Sequence, residues 1–271
     1  MNTAAFLTPR LLRLARKLRE ALARVEQSGD DEAIHDLRVA LRRLRSLLKP
    51  ARTIYGTFHT EAVRAALKAL ADASGDLRDE EVLLQTLASL DLPAPLRPDL
   101  DGWLTLRKQR ELQLRASFLA LLSSGQAHHA SALLDALLLL PVDPARDEPL
   151  FAFTIRTVER ADQRAQGWVI KDTGDQEALH QLRILYKRLR YAAEGFSDAL
   201  PPVLAARAQV AEGFQKVLGD IHDLDVARAT VEAEVDLSAA VRPALLEALR
   251  LRRAAAVQSY LALRAPQTAP L

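Results

Sequence analysis

The sequence predicts an all-α fold built from two related helical bundles, and three observations carry that expectation. Leucine, alanine, arginine and glutamate dominate, while the 271 residues include only 10 glycines and 13 prolines, a composition that favours helix. No stretch alternates β-branched and polar residues with the period of two that a half-buried strand needs. One segment also occurs twice: residues 28–45 and 173–190 align without a gap and are identical at ten of eighteen positions. Each copy holds an arginine-rich run opened by a histidine, HDLRVALRRLR from His35 and HQLRILYKRLR from His180.

The likeness continues beyond those runs. GDLRDEEV at 75–82 answers GDIHDLDV at 219–226, Asp91-Leu92 answers Asp236-Leu237, and Arg97-Pro98 answers Arg242-Pro243. Leu106-Arg107-Lys108 then answers Leu251-Arg252-Arg253. Colinear matches with slips of one residue point to tandem duplication of a unit of about 145 residues, which is domain-sized and too long for a solenoid repeat. The expected organisation is a first bundle over 1–140, a joint PVDPARDEP over 141–149, a second bundle over 150–264 and a disordered tail over 265–271.

The elements follow in order. Leu11, Leu14, Leu18, Leu22 and Val25 share one face of a first helix, with Thr8 capping its start at Pro9. A second helix runs from Asp30 to Lys49 and stops at Pro50. A third covers 58–73, Gly75-Asp76 punctuates it, and a fourth covers 77–90. The loop DLPAPLRP precedes a long helix reaching Ser123, and 126–140 form one more. The second half repeats the order over 150–166, 175–197, 202–218, 222–234 and 243–263.

Composition narrows the function. The formal charge is only +2, so positive charge matters through clustering. With no cysteine, disulfides and thiolate metal sites are excluded. The N-terminus becomes arginine-rich before a signal-peptide core forms. The longest apolar stretch, near 132–142, contains Asp135 and is too short to span a bilayer. A soluble cytoplasmic protein is the expectation.

The repeated run reads as a phosphate site. At about 100° per residue, His35, Arg38, Arg42, Arg45 and Lys49 fall within a sector of roughly 80° and extend about 21 Å along the axis. Ile34, Leu37, Leu41, Leu44 and Leu48 form the neighbouring apolar stripe, so the cations border the seam instead of lying opposite it. The second copy places His180, Arg183, Lys187 and Arg190 in the same sector, with Glu194 where the first has Lys49. A salt bridge from Arg190 to Glu194 is expected there. Arg13 and Lys17 on the first helix, and Arg43 and Arg188 elsewhere on the wheel, form a second tier. An ordinary solvated face mixes signs, whereas like-charge neighbours three or four residues apart each cost roughly 0.2–0.5 kcal/mol. A cluster kept twice at that cost points to an anion, and arginine suits phosphate because its planar fork stays charged and donates paired hydrogen bonds.

With both histidine-led helices and both Gly-Asp segments, the chain resembles the CHAD family, α-helical domains named for their histidines, over about residues 5–263. The resemblance implies two bundles related by pseudo-two-fold symmetry that bind inorganic polyphosphate along facing basic surfaces. It carries that role onto His35, Arg38, Arg42 and Arg45, and onto His180, Arg183, Lys187 and Arg190; Lys49 extends the first stripe, and Glu194 breaks the symmetry. Many relatives carry an attached triphosphate-tunnel domain, and no such segment is visible here, so a stand-alone binder is expected. With no nucleophile, base or metal cluster evident in the sequence, neither catalysis nor a cofactor is expected, whereas association with polyphosphate granules is.

Other readings stand beside this one. Asp76/Asp79 and Asp220/Asp223 offer carboxylate pairs for Mg²⁺-assisted phosphoryl chemistry, although aspartate after a glycine more commonly caps a helix. A transition-metal role for the two leading histidines conflicts with their cationic neighbours. His128-His129 reads as surface, and Trp103 and Trp168 as helix-packing anchors. A nucleic-acid backbone would satisfy the same cations, but only Tyr186 and Tyr191 lie among them to stack a base. Polyphosphate binding leads, with a nucleic-acid binder and a polyphosphate-processing enzyme as alternatives.

Overall fold

A computed structural model describes residues 1–28 and 30–264, with the backbone alone for Ser28, so Gly29 and the tail over 265–271 lie outside the described residues. Among them the all-α expectation is borne out. Ten α-helices follow in order: α1 (Thr3–Ser28), α2 (Asp31–Tyr55), α3 (Thr57–Ala73), α4 (Gly75–Ala88), α5 (Arg97–Leu121), α6 (Ala127–Leu139), α7 (Leu150–Gln166), α8 (Gln176–Gly195), α9 (Pro202–Ala233) and α10 (Val241–Arg264). A π-helical turn at Leu122–Gln126, where Gly125 takes a φ of 87°, leads into α6. The β pairing among the described residues is one bridge between Asn2 and Pro149. No helix among them is long and apolar enough to cross a membrane.

Three helices run past the stops expected of them. α1 begins at Thr3, with Pro9 inside it, because the segment before α7 satisfies its first amides. The Thr3 amide and hydroxyl donate to the Glu148 carbonyl (3.0 and 2.7 Å), and the Ala4 amide donates to the Asp147 carboxylate (2.9 Å). Thr8 is therefore no cap; its hydroxyl meets that of Tyr55 (2.7 Å). α2 likewise continues through Pro50 to Tyr55 and ends at Gly56, whose φ is 88°. An interior proline costs about 3 kcal/mol, but Ala51, Ile54 and Tyr55 are buried beyond it, and burying a large apolar side chain gains about 1.5–3 kcal/mol. α9 runs unbroken through Gly219, since Leu218, Ile221, Leu224, Ala227 and Val231 continue one buried face across the glycine.

The chain forms two compact units, and each draws on both sequence repeats. The first comprises residues 1–77, 114–161 and 191–206. In it α1 packs on α2, α2 on α3, and α6 on both α1 and α3. Ile34, Leu37, Leu41, Leu44 and Leu48 of α2 are each at most 2% exposed, as their spacing predicts. Phe196 is fully buried, stacked on Phe6 (ring centroids 5.9 Å apart) and edge-on to Phe153 (5.6 Å).

The second unit comprises residues 78–113, 162–190 and the chain from 207 onward. One of its cores gathers Leu83, Leu87 and Trp103 with Val231, Val241 and Leu245, and the other gathers Leu179 and Leu182 with Phe214, Leu218, Ile221 and Tyr260. Trp103 is the packing anchor expected of it. Trp168 is not: it is 42% exposed, and its indole N–H donates to the Ala178 carbonyl (3.1 Å) near the start of α8.

Candidate functional site

In the first unit, α2 presents the first cationic edge. Asp30 caps this helix by accepting from the Ala33 amide (2.6 Å), and Asp31 and Glu32 complement its dipole. Because the leucine seam fixes the helix rotation, Arg38, Arg42 and Arg45 lie half-buried beside it, while His35 and Lys49 are exposed. On one side stands α3. Arg38 donates to the carbonyl and the hydroxyl of Ser74, the latter at 2.6 Å, bracing the end of that helix. Burial pulls the Arg45 pKa below its usual value, with Asp72 opposing and Arg64 adding to the shift; a guanidinium there still stays charged at neutral pH.

On the other side of the same edge lie residues 191–195. The Arg42 guanidinium sits over the Tyr191 ring, 5.1 Å from its centroid, and its buried Nε has no hydrogen-bond partner. Arg43, placed in the second tier by its wheel position, holds Glu194 through Nε (2.9 Å) and Nη2 (2.8 Å). Glu194 is thus an acceptor for α2. Of the remaining second-tier residues, Arg13 and Lys17 on α1 are exposed.

In the second unit, α8 presents its edge to α9. His180, Arg183, Lys187 and Arg190 are all half-buried, while Arg188 points outward. Arg190 donates to Gln215 (3.0 Å) and reaches the Glu212 carboxylate (3.6 Å). The Arg183 Nε lies 3.9 Å from where a Cβ on Gly219 would stand, which places the guanidinium against α9 at that glycine. His180 meets His222, Nδ1 to Nδ1, at 3.2 Å. Gln215, Gly219 and His222 recur every three or four residues and form the α9 face that receives the stripe.

The structure therefore gives the second Gly-Asp segment a different place from the one expected. Asp220 and Asp223 do not cap a helix start; they lie in the middle of α9. Burial raises the Asp223 pKa, Arg183 and Arg78 counteract it, and Asp220 and Asp79 reinforce it. Asp76 does stand in the first turn of α4, where its charge complements the helix dipole. Sequence reasoning passed over His222. The signal was available, because Arg78 occupies the aligned position in the first copy and marks that place as cationic or titratable in both.

Burial lowers the His222 pKa to about 4; Arg183, His180 and Lys187 push the same way and Asp225 opposes them. Asp225 is itself bound by Arg253 of α10 (2.6 Å). Among the described residues no group of three or more His, Cys, Asp or Glu side chains is arranged to hold a metal ion. Tyr186 packs flat on Phe214, with centroids 4.6 Å apart and planes 6° apart, and burial pushes its pKa up to about 12. Its ring belongs to the core of the unit. His128 and His129 are exposed, as their position beside a glycine turn suggests.

Comparison with known proteins follows the same line. The model of a family described as the CHAD domain matches residues 4–232. Over 214 residues, 73% of this chain, the sequence is 33% identical to the uncharacterized protein Rv2226 of Mycobacterium tuberculosis and equally to its counterpart MT2285 from another strain. The chain spans 39% of the length of those relatives. Among solved structures, PptA from Streptomyces chartreusis shares the fold with a TM-score of 0.74 at 19% identity, over 97% of this chain and 99% of that one. The CHAD domain from the plant Ricinus communis does so with a TM-score of 0.65 at 23% identity, over 97% and 88%.

Proposed function

This chain belongs to the CHAD domain family, and we propose that it binds inorganic polyphosphate, without catalysis, along the basic edges of α2 and α8. One observation carries the reading: Arg42 and Arg183 are half-buried guanidiniums that form no hydrogen bond or ion pair among the described residues. The buried Arg42 Nε, left unpaired, costs about 1–3 kcal/mol, and at both guanidiniums a phosphate oxygen supplies an acceptor and the countercharge.

The other members of each edge have graded roles. Arg38 and Arg190 are anchored to Ser74 and to Gln215 and Glu212, so they present charge at fixed positions. Arg45 and Lys187 continue the line inside each edge, and His35, Lys49 and His180 extend it. The ligand class follows from what accompanies the cations. Tyr186 has one face stacked on Phe214 and Tyr191 has Arg42 over one face, which leaves less ring for base stacking. A ligand consisting only of phosphates fits this surface better than a nucleic acid, and a cytoplasmic location near polyphosphate stores accords with it.

Binding without turnover is the expected result. Long-chain polyphosphate incubated with the protein, with and without Mg²⁺, should be retarded on a native gel and should keep its length on a denaturing one. Shortening that disappears in Asp79→Asn or Asp223→Asn would replace the proposal with the enzymatic reading.

A further inference from the structure

The histidine pair of the second unit goes beyond a static basic edge. The ring centroids of His180 and His222 are 4.5 Å apart, with planes tilted by 42°, and their Nδ1 atoms are 3.2 Å apart. Two ring nitrogens at that distance share one hydrogen, one donating and the other accepting through its lone pair. A second proton on this contact would set two N–H groups against each other. In this arrangement at least one ring is therefore neutral.

The groups around the pair hold it there. α8 contributes Arg183 and Lys187, both of which disfavour charge on His222. α9 contributes Asp225, which favours that charge but is bound by Arg253 from α10. Asp223 and Asp220 on α9 and Asp79 on α4 stand beside Arg183 and Arg78, three carboxylates to two guanidiniums, and act on one another. The charges that act on His222 itself are thus mostly cationic, and the one carboxylate that opposes them is already paired. An anion resting on Arg183 and Lys187 supplies the missing negative charge.

We propose, building on the polyphosphate reading, that phosphate binding at the α8 edge is coupled to proton uptake by the His180–His222 pair, and that His222 is a further phosphate-contacting residue. The incoming phosphate separates the two Nδ1 atoms, one proton enters from solvent onto the Nδ1 that had been accepting, and each Nδ1–H then donates to a phosphate oxygen. By linkage, a ligand that favours protonation binds more tightly as protons become available. Affinity therefore rises as pH falls toward the region where the free pair resists charging, by up to about tenfold per pH unit for each whole proton taken up.

The test is calorimetric titration of long-chain polyphosphate into the full chain from about pH 7.5 to about pH 5.5, in pairs of buffers with different ionisation heats. Wild-type protein should take up a measurable fraction of a proton per site and bind more tightly at the lower pH. His222→Asn should lose that uptake and flatten the pH dependence, whereas exposed His129→Asn should leave both as in wild type. His180→Asn carries the same expectation as His222→Asn and serves if that variant fails to show a native helical spectrum. Binding with no proton uptake overturns the proposal and leaves the polyphosphate reading standing. Uptake that persists in His222→Asn but vanishes in Asp223→Asn also overturns it, by assigning the proton to the carboxylate. No binding at any pH removes the functional reading and this proposal together.

Discussion

Replacing Arg42 and Arg45, together with Arg183 and Lys187, by alanine is expected to abolish polyphosphate binding while the helical circular-dichroism signal stays intact. A charged hydrogen bond contributes at most about 1.5–3 kcal/mol, so either pair alone should weaken binding on the order of tenfold to several hundredfold. The combination removes the inner cations from both edges. Arg38 is left in place deliberately: its loss would strand the carbonyl of fully buried Ser74 and mix a stability change with the affinity change. The leucine seam that fixes α2 contains none of the substituted residues, so folding should persist. Wild-type affinity in the fourfold variant would show that these edges are not the site.

Phe196→Ala is expected to destabilise the first unit by about 3–5 kcal/mol, read as a lower midpoint in urea or thermal unfolding. The side chain is fully buried against Phe6 and Phe153, and each aromatic pair adds about 0.5–1.5 kcal/mol beyond the area it buries. Truncation leaves a cavity among α1, α7 and the segment after α8. A loss below about 1 kcal/mol would contradict this account of the core.

The residues that were easiest to read from sequence are those governed by local periodicity. The α2 stripe of Ile34, Leu37, Leu41, Leu44 and Leu48 is buried where its 3.6-residue spacing puts it, and Arg38, Arg42 and Arg45 beside it are half-buried for the same geometric reason. Helix ends were less legible because distant groups decide them. Pro9 reads as a start only until Asp147 and Glu148 are seen capping Thr3 and Ala4; Pro50 and Gly219 read as breaks until the buried residues beyond them are counted. Pairings across elements were the least legible. Glu194 is one turn from Arg190 in sequence, yet Arg43 of α2 holds it, and His222 acquires its meaning only when α9 places it on His180.

A competition titration separates polyphosphate from nucleic acid as the ligand. Long-chain polyphosphate and single-stranded RNA or DNA of equal total charge would be titrated against wild-type protein, and then against each other, at low and at moderate salt. Polyphosphate is expected to bind and to displace nucleic acid by a wide margin, with affinity falling steeply as salt rises because several cations neutralise the chain. Equal competition by nucleic acid at matched charge, or no binding of polyphosphate at low salt, would contradict the polyphosphate reading.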